Sequence, residues 1–189
     1  MIAALLVLIL QTSWPAVSTK ATASVVRLSD GDLGEKEGVC TGVVIAPHVV
    51  LTAAHCASTQ FADLLPVSIL AKDAVHDLLV LDVPGLDKPA LCLAADDGAV
   101  QDTVLALGYG WGYEQLLVRR TNVSAFGVRE TTGVYVDYDA AFLQGMSGGP
   151  IVNDRSEIVG VVLKTSTGDA FGVPASVIRA QLGRFFRAN

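Results

Sequence analysis

Short apolar stretches rich in β-branched residues recur along almost the whole chain, separated by turn-forming residues. Apolar and polar side chains alternate most clearly over residues 134–139, which is typical of a strand with one buried face. No long amphipathic helix lies between the stretches, so a parallel α/β fold is excluded for want of crossover helices, and antiparallel barrels or a sandwich are predicted. The predicted strands are 23–28, 39–45, 49–52, 67–70, 78–83, 90–93, 104–108, 116–123, 134–138, 150–152, 158–163 and 170–173.

The C-terminus breaks this pattern. A helix is predicted over residues 175–187, with Ser176 as its N-cap. Its apolar residues are spaced to fall on one helical face, which we expect to pack on the second set of strands. They are Val177, Ile178, Leu182, Phe185 and Phe186.

Charge and composition exclude two classes of protein. The chain has 13 basic against 19 acidic residues, a net charge of −6. A nucleic-acid partner is therefore not expected, since a phosphate backbone is held by a basic stripe. Hydrophobic residues make up 51% and charged residues 17% of the chain, which excludes a disordered protein. No cofactor or metal is predicted; the acidic pairs Asp96-Asp97 and Asp137 with Asp139 are interpreted as solvated loops, with Ca²⁺ sites as the alternative.

The first residues resemble a signal peptide. Residues 2–10 are an unbroken apolar run, too short to span a membrane, and small residues follow Pro15. We predict a signal peptide over residues 1–18, or to residue 21, and hence a secreted or periplasmic protein with no stable membrane span after processing. The alternatives are an uncleaved anchor and a buried first strand or helix.

Cysteine spacing agrees with an oxidising compartment. Cys40 and Cys56 stand sixteen residues apart, as expected for a disulfide in a small exported domain. Cys92 is then left over. In its apolar segment it is predicted to be a small core residue with an inert thiol, with a reactive or intermolecular thiol as the alternative.

Three short segments carry the candidate chemistry. Residues 145–150 (GMSGGP) place Ser147 between glycines, where its hydroxyl is uncovered and backbone amides can converge. Residues 40–56 predict a hairpin that ends at His55 and is clamped by the predicted disulfide, a suitable mount for a general base. Asp77 precedes the apolar run 78–81 and would need a partner if buried, which His55 could supply. Taken singly, these residues could instead be a glycine-rich turn or a core histidine.

The same segments, TAAHC at residues 52–56, DLLVL at 77–81 and GMSGGP at 145–150, resemble the signatures of the chymotrypsin-like (trypsin-fold) serine peptidases, in the same order along the chain. Residues 105–112 (LALGYGWG) and 158–162 (IVGVV) add to the similarity. The resemblance implies an all-β fold of two six-stranded antiparallel Greek-key β-barrels, over residues 19–97 and 98–189, with the C-terminal helix on the second.

The resemblance also implies a catalytic Ser147, His55 and Asp77, and an oxyanion hole at the backbone amides of Gly145 and Ser147. If Asp77 is not the acid, Asp73 or Asp82 would be. The substrates would be proteins or peptides. The residues implied to form the primary substrate pocket are Ala141, Phe142, Lys164, Thr165 and Gly172.

Departures from the family pattern refine the hypothesis. Met146 stands where the zymogen-activated branch has an aspartate, so activation by a freed N-terminus is not expected, and the chain is most similar in style to bacterial, viral and HtrA-like members. Ala141 puts no acid at the pocket floor, which disfavours cleavage after Arg or Lys and favours a small or medium apolar residue; Lys164 could instead favour an acidic one. The competing hypothesis is a catalytically inactive binding module on the same fold.

Overall fold

The computed structural model describes residues 13–31, 40–112, 114–129, 133–166 and 169–185. Antiparallel strands dominate it, with one helix at each end of the described chain. The helices are α1 (Trp14–Thr22) and α2 (Ala175–Phe185), and two short 3-10 helices span Ala54–Cys56 and Gly110–Gly112. The strands are β1 (Val25–Ser29), β2 (Cys40–Ala46), β3 (Val49–Ala53), β4 (Phe61–Ala62), β5 (Leu65–Pro66), β6 (Ser68–Asp73), β7 (Leu78–Asp82), β8 (Thr103–Gly108), β9 (Leu117–Arg129), β10 (Gly133–Tyr138), β11 (Pro150–Val152), β12 (Ile158–Ser166) and β13 (Asp169–Pro174).

The strands divide into two sheets, and the predicted all-β class with a C-terminal helix is confirmed. Strands β8–β13 form a closed six-stranded barrel in the order β10-β13-β12-β11-β8-β9. The first half is a curled seven-stranded sheet in the order β5-β4-β1-β2-β3-β7-β6, where a closed six-stranded barrel was expected. The additional strands β4 and β5 are two residues long each, too short to leave a periodic pattern in the sequence.

One hydrophobic core joins the two halves. Leu51 and Val80 of the first sheet belong to the same buried cluster as Leu107 and Ile158 of the barrel. The predicted strand at 90–93 is instead an extended connection between the sheets. Leu91 N–H donates to Val44 O at 2.9 Å, and Ile158 N–H donates to the carbonyl of Cys92 at 2.8 Å.

This connection corrects the prediction for Cys92. Leu91 is buried and the Cys92 side chain is exposed. Successive residues of an extended chain point to opposite sides, so only one of these two neighbours could enter the core. Cys92 is therefore a surface thiol.

Helix α1 occupies part of the segment predicted as a signal peptide. Val17 and Ala21 are buried in the core that joins the halves, and the Arg120 guanidinium lies 5.0 Å from the Trp14 ring centroid. The expected cleavage near Ser18 or Ala21 would divide this helix. Cleavage stays a prediction, and residues 1–12 lie outside the described part of the chain. Neither described helix has the length and hydropathy of a membrane span.

Helix α2 matches its prediction in position and face. Ile178 is buried, and Val177, Leu182 and Phe185 pack against the same core, while Phe186 lies outside the described residues. The first turn of the helix differs from the prediction, because Asp97 and not Ser176 supplies the capping carboxylate. Asp97 accepts hydrogen bonds from the Ser176 amide at 2.7 Å and from its hydroxyl at 2.6 Å. A carboxylate at this end also complements the helix dipole.

Candidate active site

His55 sits at the end of a stapled hairpin. Strand β3 ends at Ala53, and the 3-10 helix Ala54–Cys56 turns the chain immediately afterwards. The predicted disulfide between Cys40 and Cys56 is present, so strand β2 is bonded to the residue that follows His55. The His55 side chain is 45% exposed. The hairpin thus fixes the backbone of His55 while its imidazole stays accessible.

Three hydrogen bonds join Asp77 to His55 and to its neighbour Ala54. Its Oδ1 accepts from the His55 amide at 2.8 Å, its Oδ2 lies 2.6 Å from His55 Nδ1, and its carbonyl oxygen accepts from the Ala54 amide at 3.0 Å. Asp77 is in the left-handed region, with φ of 55°. That conformation costs an L-residue roughly 1–2 kcal/mol, which the surrounding hydrogen bonds must offset.

The hydrogen bond to Asp77 also sets the tautomer of His55. A carboxylate only accepts, so Nδ1 must carry a proton. In the neutral ring Nε2 then has a free lone pair and can take a proton from another group. The pair is arranged as a base whose orientation is fixed by an acid.

The loop that carries Ser147 is pressed against this hairpin. Gly148 has φ of 83°, and a Cβ there would lie 2.0 Å from Thr52 Oγ1 and 2.3 Å from Thr41 O. Only glycine permits that approach. The Ser147 carbonyl accepts from the Thr41 amide at 2.9 Å and lies 4.0 Å from Cys56 Sγ. The fold therefore brings the Ser147 loop against the start of β2 and the end of β3, the strand that leads to His55.

Thr41 is a buried connector that no sequence motif singles out. Its hydroxyl donates to Gly145 O at 2.8 Å and accepts from the Tyr109 amide at 2.9 Å, so it ties strand β2 to the serine loop and to the end of β8. Its own carbonyl accepts from Thr52 Oγ1 at 2.7 Å. These partners are far apart in the chain, and no local pattern predicts them.

Two backbone amides of the loop are free to bind an anion. Among the described residues, neither Gly145 N–H nor Ser147 N–H has a hydrogen-bond acceptor. Between them, the Met146 amide donates to Leu143 O at 3.0 Å. The Ser147 hydroxyl donates to Leu163 O at 2.9 Å, which places the main chain of β12 beside the serine.

The implied pocket residues fall into different environments. Ala141 is exposed, whereas Phe142 is buried in the barrel core with its ring centroid 5.6 Å from that of Tyr138. Gly172 lies opposite Val162 in the sheet, and a Cβ there would meet Ile151 and Tyr138. Burial raises the pKa of Tyr138, so its phenol stays protonated. Lys164 and Thr165 belong to β12, and their side chains lie outside the described part of the structure.

The two other candidate acids lie elsewhere. Asp73 pairs with His76, with Oδ2 2.6 Å from Nδ1. Asp82 is paired with Val49 at the opposite end of β3 from His55. Of these three aspartates, the structure places Asp77 against His55.

One group of potential metal ligands occurs among the described residues, formed by Cys40, His55 and Cys56 with ligand atoms within 4.8 Å of one another. Both sulfurs are in the disulfide, and a disulfide sulfur is not the thiolate that binds metals. The arrangement suits proton transfer by His55.

Comparison with known proteins agrees with this geometry. The family model of the trypsin-like peptidase domain matches residues 40–161. The serine protease Rv3671c of Mycobacterium tuberculosis is 30% identical over 164 residues, covering 76% of this chain and 41% of the relative. A serine-to-alanine mutant of Rv3671c, solved in its inactive form, superposes with a TM-score of 0.76 at 23% identity, covering 90% of each chain.

Two further relatives are of the HtrA and DegP type. A probable periplasmic DegP-like serine endoprotease of Rhizobium meliloti is 36% identical over 126 residues, covering 61% of this chain and 25% of the relative. The HtrA-type protease AlgW, solved with a tripeptide, superposes with a TM-score of 0.77 at 22% identity, covering 90% of this chain and 62% of that one. The chain thus spans less than half the length of Rv3671c and of the DegP-like protein. Since the family model covers well over half of it, the chain belongs to the trypsin-like peptidase domain family.

Proposed function

We propose that the chain is a serine endopeptidase of the HtrA type, with Ser147 as nucleophile, His55 as general base and Asp77 as the acid that orients it. The observation that carries the proposal is the His55–Asp77 pair, joined at 2.6 Å through Nδ1, on a hairpin packed against the Ser147 loop. The family match and the named serine proteases among its relatives support it.

In the proposed mechanism, His55 Nε2 takes the Ser147 proton as Oγ attacks the carbonyl carbon of a peptide bond. The tetrahedral intermediate collapses, the C–N bond breaks, and His55 returns the proton to the leaving amine. Water then attacks the acyl-enzyme while His55 takes a proton from it. The ester bond to Ser147 breaks, the carboxylic acid product leaves, and His55 returns the proton to Ser147 Oγ. Asp77 stabilises the imidazolium that forms in each half-reaction.

Two features of the serine loop have roles in this mechanism. The free amides of Gly145 and Ser147 would donate to the oxyanion of each tetrahedral intermediate. The Ser147 hydroxyl, which donates to Leu163 O at 2.9 Å, must turn to His55 Nε2 before it attacks. The bond to Leu163 is thus a resting arrangement of the nucleophile.

Proteins or peptides are the proposed substrates, in keeping with the tripeptide bound by AlgW. A small or medium apolar residue is proposed before the cleaved bond, because Ala141 offers no carboxylate to a basic side chain. The proposed location is periplasmic or secreted, supported by the Cys40–Cys56 disulfide and by the DegP-like relative.

A fluorophosphonate probe tests the proposal directly. We expect the folded protein to form an adduct that peptide mass spectrometry locates at Ser147. Ser147→Ala should form none, and His55→Ala should react far more slowly because the nucleophile is no longer activated. Cys92→Ala, at a surface thiol, is the matched control that should label normally.

Hydrolysis of an unfolded model protein is the second readout. Cleavage products from the wild type and none from Ser147→Ala support the endopeptidase. A folded protein that neither labels nor cleaves would overturn the proposal and favour the inactive binding module.

A further inference from the structure

A second histidine–aspartate pair closes the turn that presents Asp77. Asp73 ends β6, and three residues later His76 places its Nδ1 2.6 Å from Asp73 Oδ2. The other carboxylate oxygen, Oδ1, accepts from the Val75 amide at 2.9 Å and the His76 amide at 3.1 Å. All of these hydrogen bonds lie within the chain between β6 and β7.

This pair is more enclosed than an ordinary surface ion pair. The side chains of Asp73 and His76 are 12% and 22% exposed. Burial raises the pKa of Asp73, but the hydrogen bonds from His76 and Val75 outweigh it and hold the pKa below its usual value. Asp73 is therefore an ionised acceptor that keeps its hydrogen bonds at neutral pH.

The next residue in the chain is Asp77, and its left-handed backbone needs such support. No glycine is present to make φ of 55° free of strain. Asp77 must also aim Oδ1 and Oδ2 at the amide and ring of His55 at once. A small rotation of the turn would break that double contact.

We propose that Asp73 and His76 are positioning residues, which lock the β6–β7 turn so that Asp77 holds His55 in its catalytic orientation. This inference rests on the proposed peptidase function. Neither residue touches substrate; both act through Asp77. A positioning role predicts a lower kcat with an unchanged KM, because the proposed pocket residues lie on the barrel and are not altered.

The test compares Asp73→Ala, Asp73→Asn and His76→Ala with Asp82→Asn, an aspartate at the far end of β7. In Asp73→Ala we expect kcat to fall about 10- to 100-fold, since misplacing a catalytic group by about 1 Å can cost 10²-fold. Asp73→Asn keeps an oxygen for the two amides and should lose less. His76→Ala loses the ring contact but keeps the backbone amide that donates to Asp73. Its kcat should therefore fall about as much as that of Asp73→Asn. Asp82→Asn should match the wild type.

A second readout does not depend on turnover. We expect the proton on His55 Nδ1, hydrogen-bonded to Asp77, to give a downfield proton NMR resonance, which its loss in His55→Ala would identify. We expect that resonance to shift or broaden in Asp73→Ala and His76→Ala and to stay unchanged in Asp82→Asn. A role confined to fold stability would lower the melting temperature and leave the resonance of the folded protein in place.

Each outcome decides the inference. Folded variants that keep both kcat and the resonance would overturn it, as would a rise in KM alone. If Asp73→Ala does not fold, Asp73→Asn and His76→Ala decide by the same readouts. If the wild type cleaves nothing, the proposed function fails, and the NMR comparison still tests whether Asp73 and His76 position Asp77.

Discussion

Two histidine–aspartate pairs meet at the β6–β7 turn, and they differ in almost everything except their 2.6 Å separation. His55 and Asp77 are 22 residues apart, and the imidazole is 45% exposed next to the serine loop. His76 and Asp73 are three residues apart and bond within their own turn. A short contact between an imidazole and a carboxylate does not by itself make a catalytic pair. The proposal for His55 rests in addition on the Ser147 loop that packs against its hairpin.

The largest expected effect is the loss of activity when Asp77, and not Asp73, is replaced. Asp77→Asn should lower kcat by roughly 10⁴-fold, because the imidazole is no longer held in the required tautomer. This is the loss that the same aspartate-to-asparagine change causes in the well-studied Ser-His-Asp triad of serine proteases. Steady-state hydrolysis of a peptide library measures it. A larger loss in Asp73→Asn than in Asp77→Asn would reverse the assignment of the two pairs.

A disulfide closes the hairpin that carries His55, whereas the turn that carries His76 contains no cysteine. Replacing both cysteines, Cys40→Ala with Cys56→Ala, should lower the free energy of unfolding by about 3 kcal/mol, because the disulfide closes a loop of 16 residues. Urea denaturation measures the change, with Cys92→Ala as the control. An unaltered unfolding midpoint would show that the hairpin does not need the bond.

The link between His55 and the nucleophile is predicted to depend on Thr41. Thr41→Val keeps the shape but leaves Gly145 O and the Tyr109 amide without their partner, at about 1–3 kcal/mol of stability. We expect kcat to fall as well, because the serine loop loses one of its two hydrogen bonds to Thr41 and keeps only the one from the Thr41 amide to Ser147 O.

Thr121→Val is the matched control for this change. Thr121 is buried in the barrel and donates to Asp139 at 2.6 Å, away from the serine loop. It should lower stability without lowering kcat in the folded protein. Equal kcat losses in the two variants would remove Thr41 from the catalytic arrangement.

The smallest expected effect is a pH dependence of the stability that the Asp73–His76 pair provides. The lowered pKa of Asp73 means that its ionised form stabilises the fold above the pKa of the unfolded chain. That contribution is lost as the pH falls through the folded pKa. The stability difference between wild type and Asp73→Asn, from urea denaturation at several pH values, should therefore shrink towards acid. A constant difference would show that Asp73 acts through shape alone.

The same contrast explains how much of the site could be predicted. TAAHC, DLLVL and GMSGGP identify His55, Asp77 and Ser147 because each is a local motif, and the family match is consistent with them. Asp73 and His76 were not recognised as a pair, although they are three residues apart. Nothing in their spacing distinguishes a closed turn from two solvated side chains, since the hydrogen bonds depend on backbone dihedrals.

Sequence alone determined most of the β-strands, the C-terminal helix and the Cys40–Cys56 disulfide, because side-chain periodicity and cysteine spacing are local properties of the chain. The tertiary structure decided which strand edges meet, and with them the contacts of Thr41, the rest position of the Ser147 hydroxyl on Leu163 and the exposure of Cys92. It also decided that helix α1 contributes Val17 and Ala21 to the core. Each of these depends on groups far apart in the chain, whose partners exist only once both sheets have packed around one core.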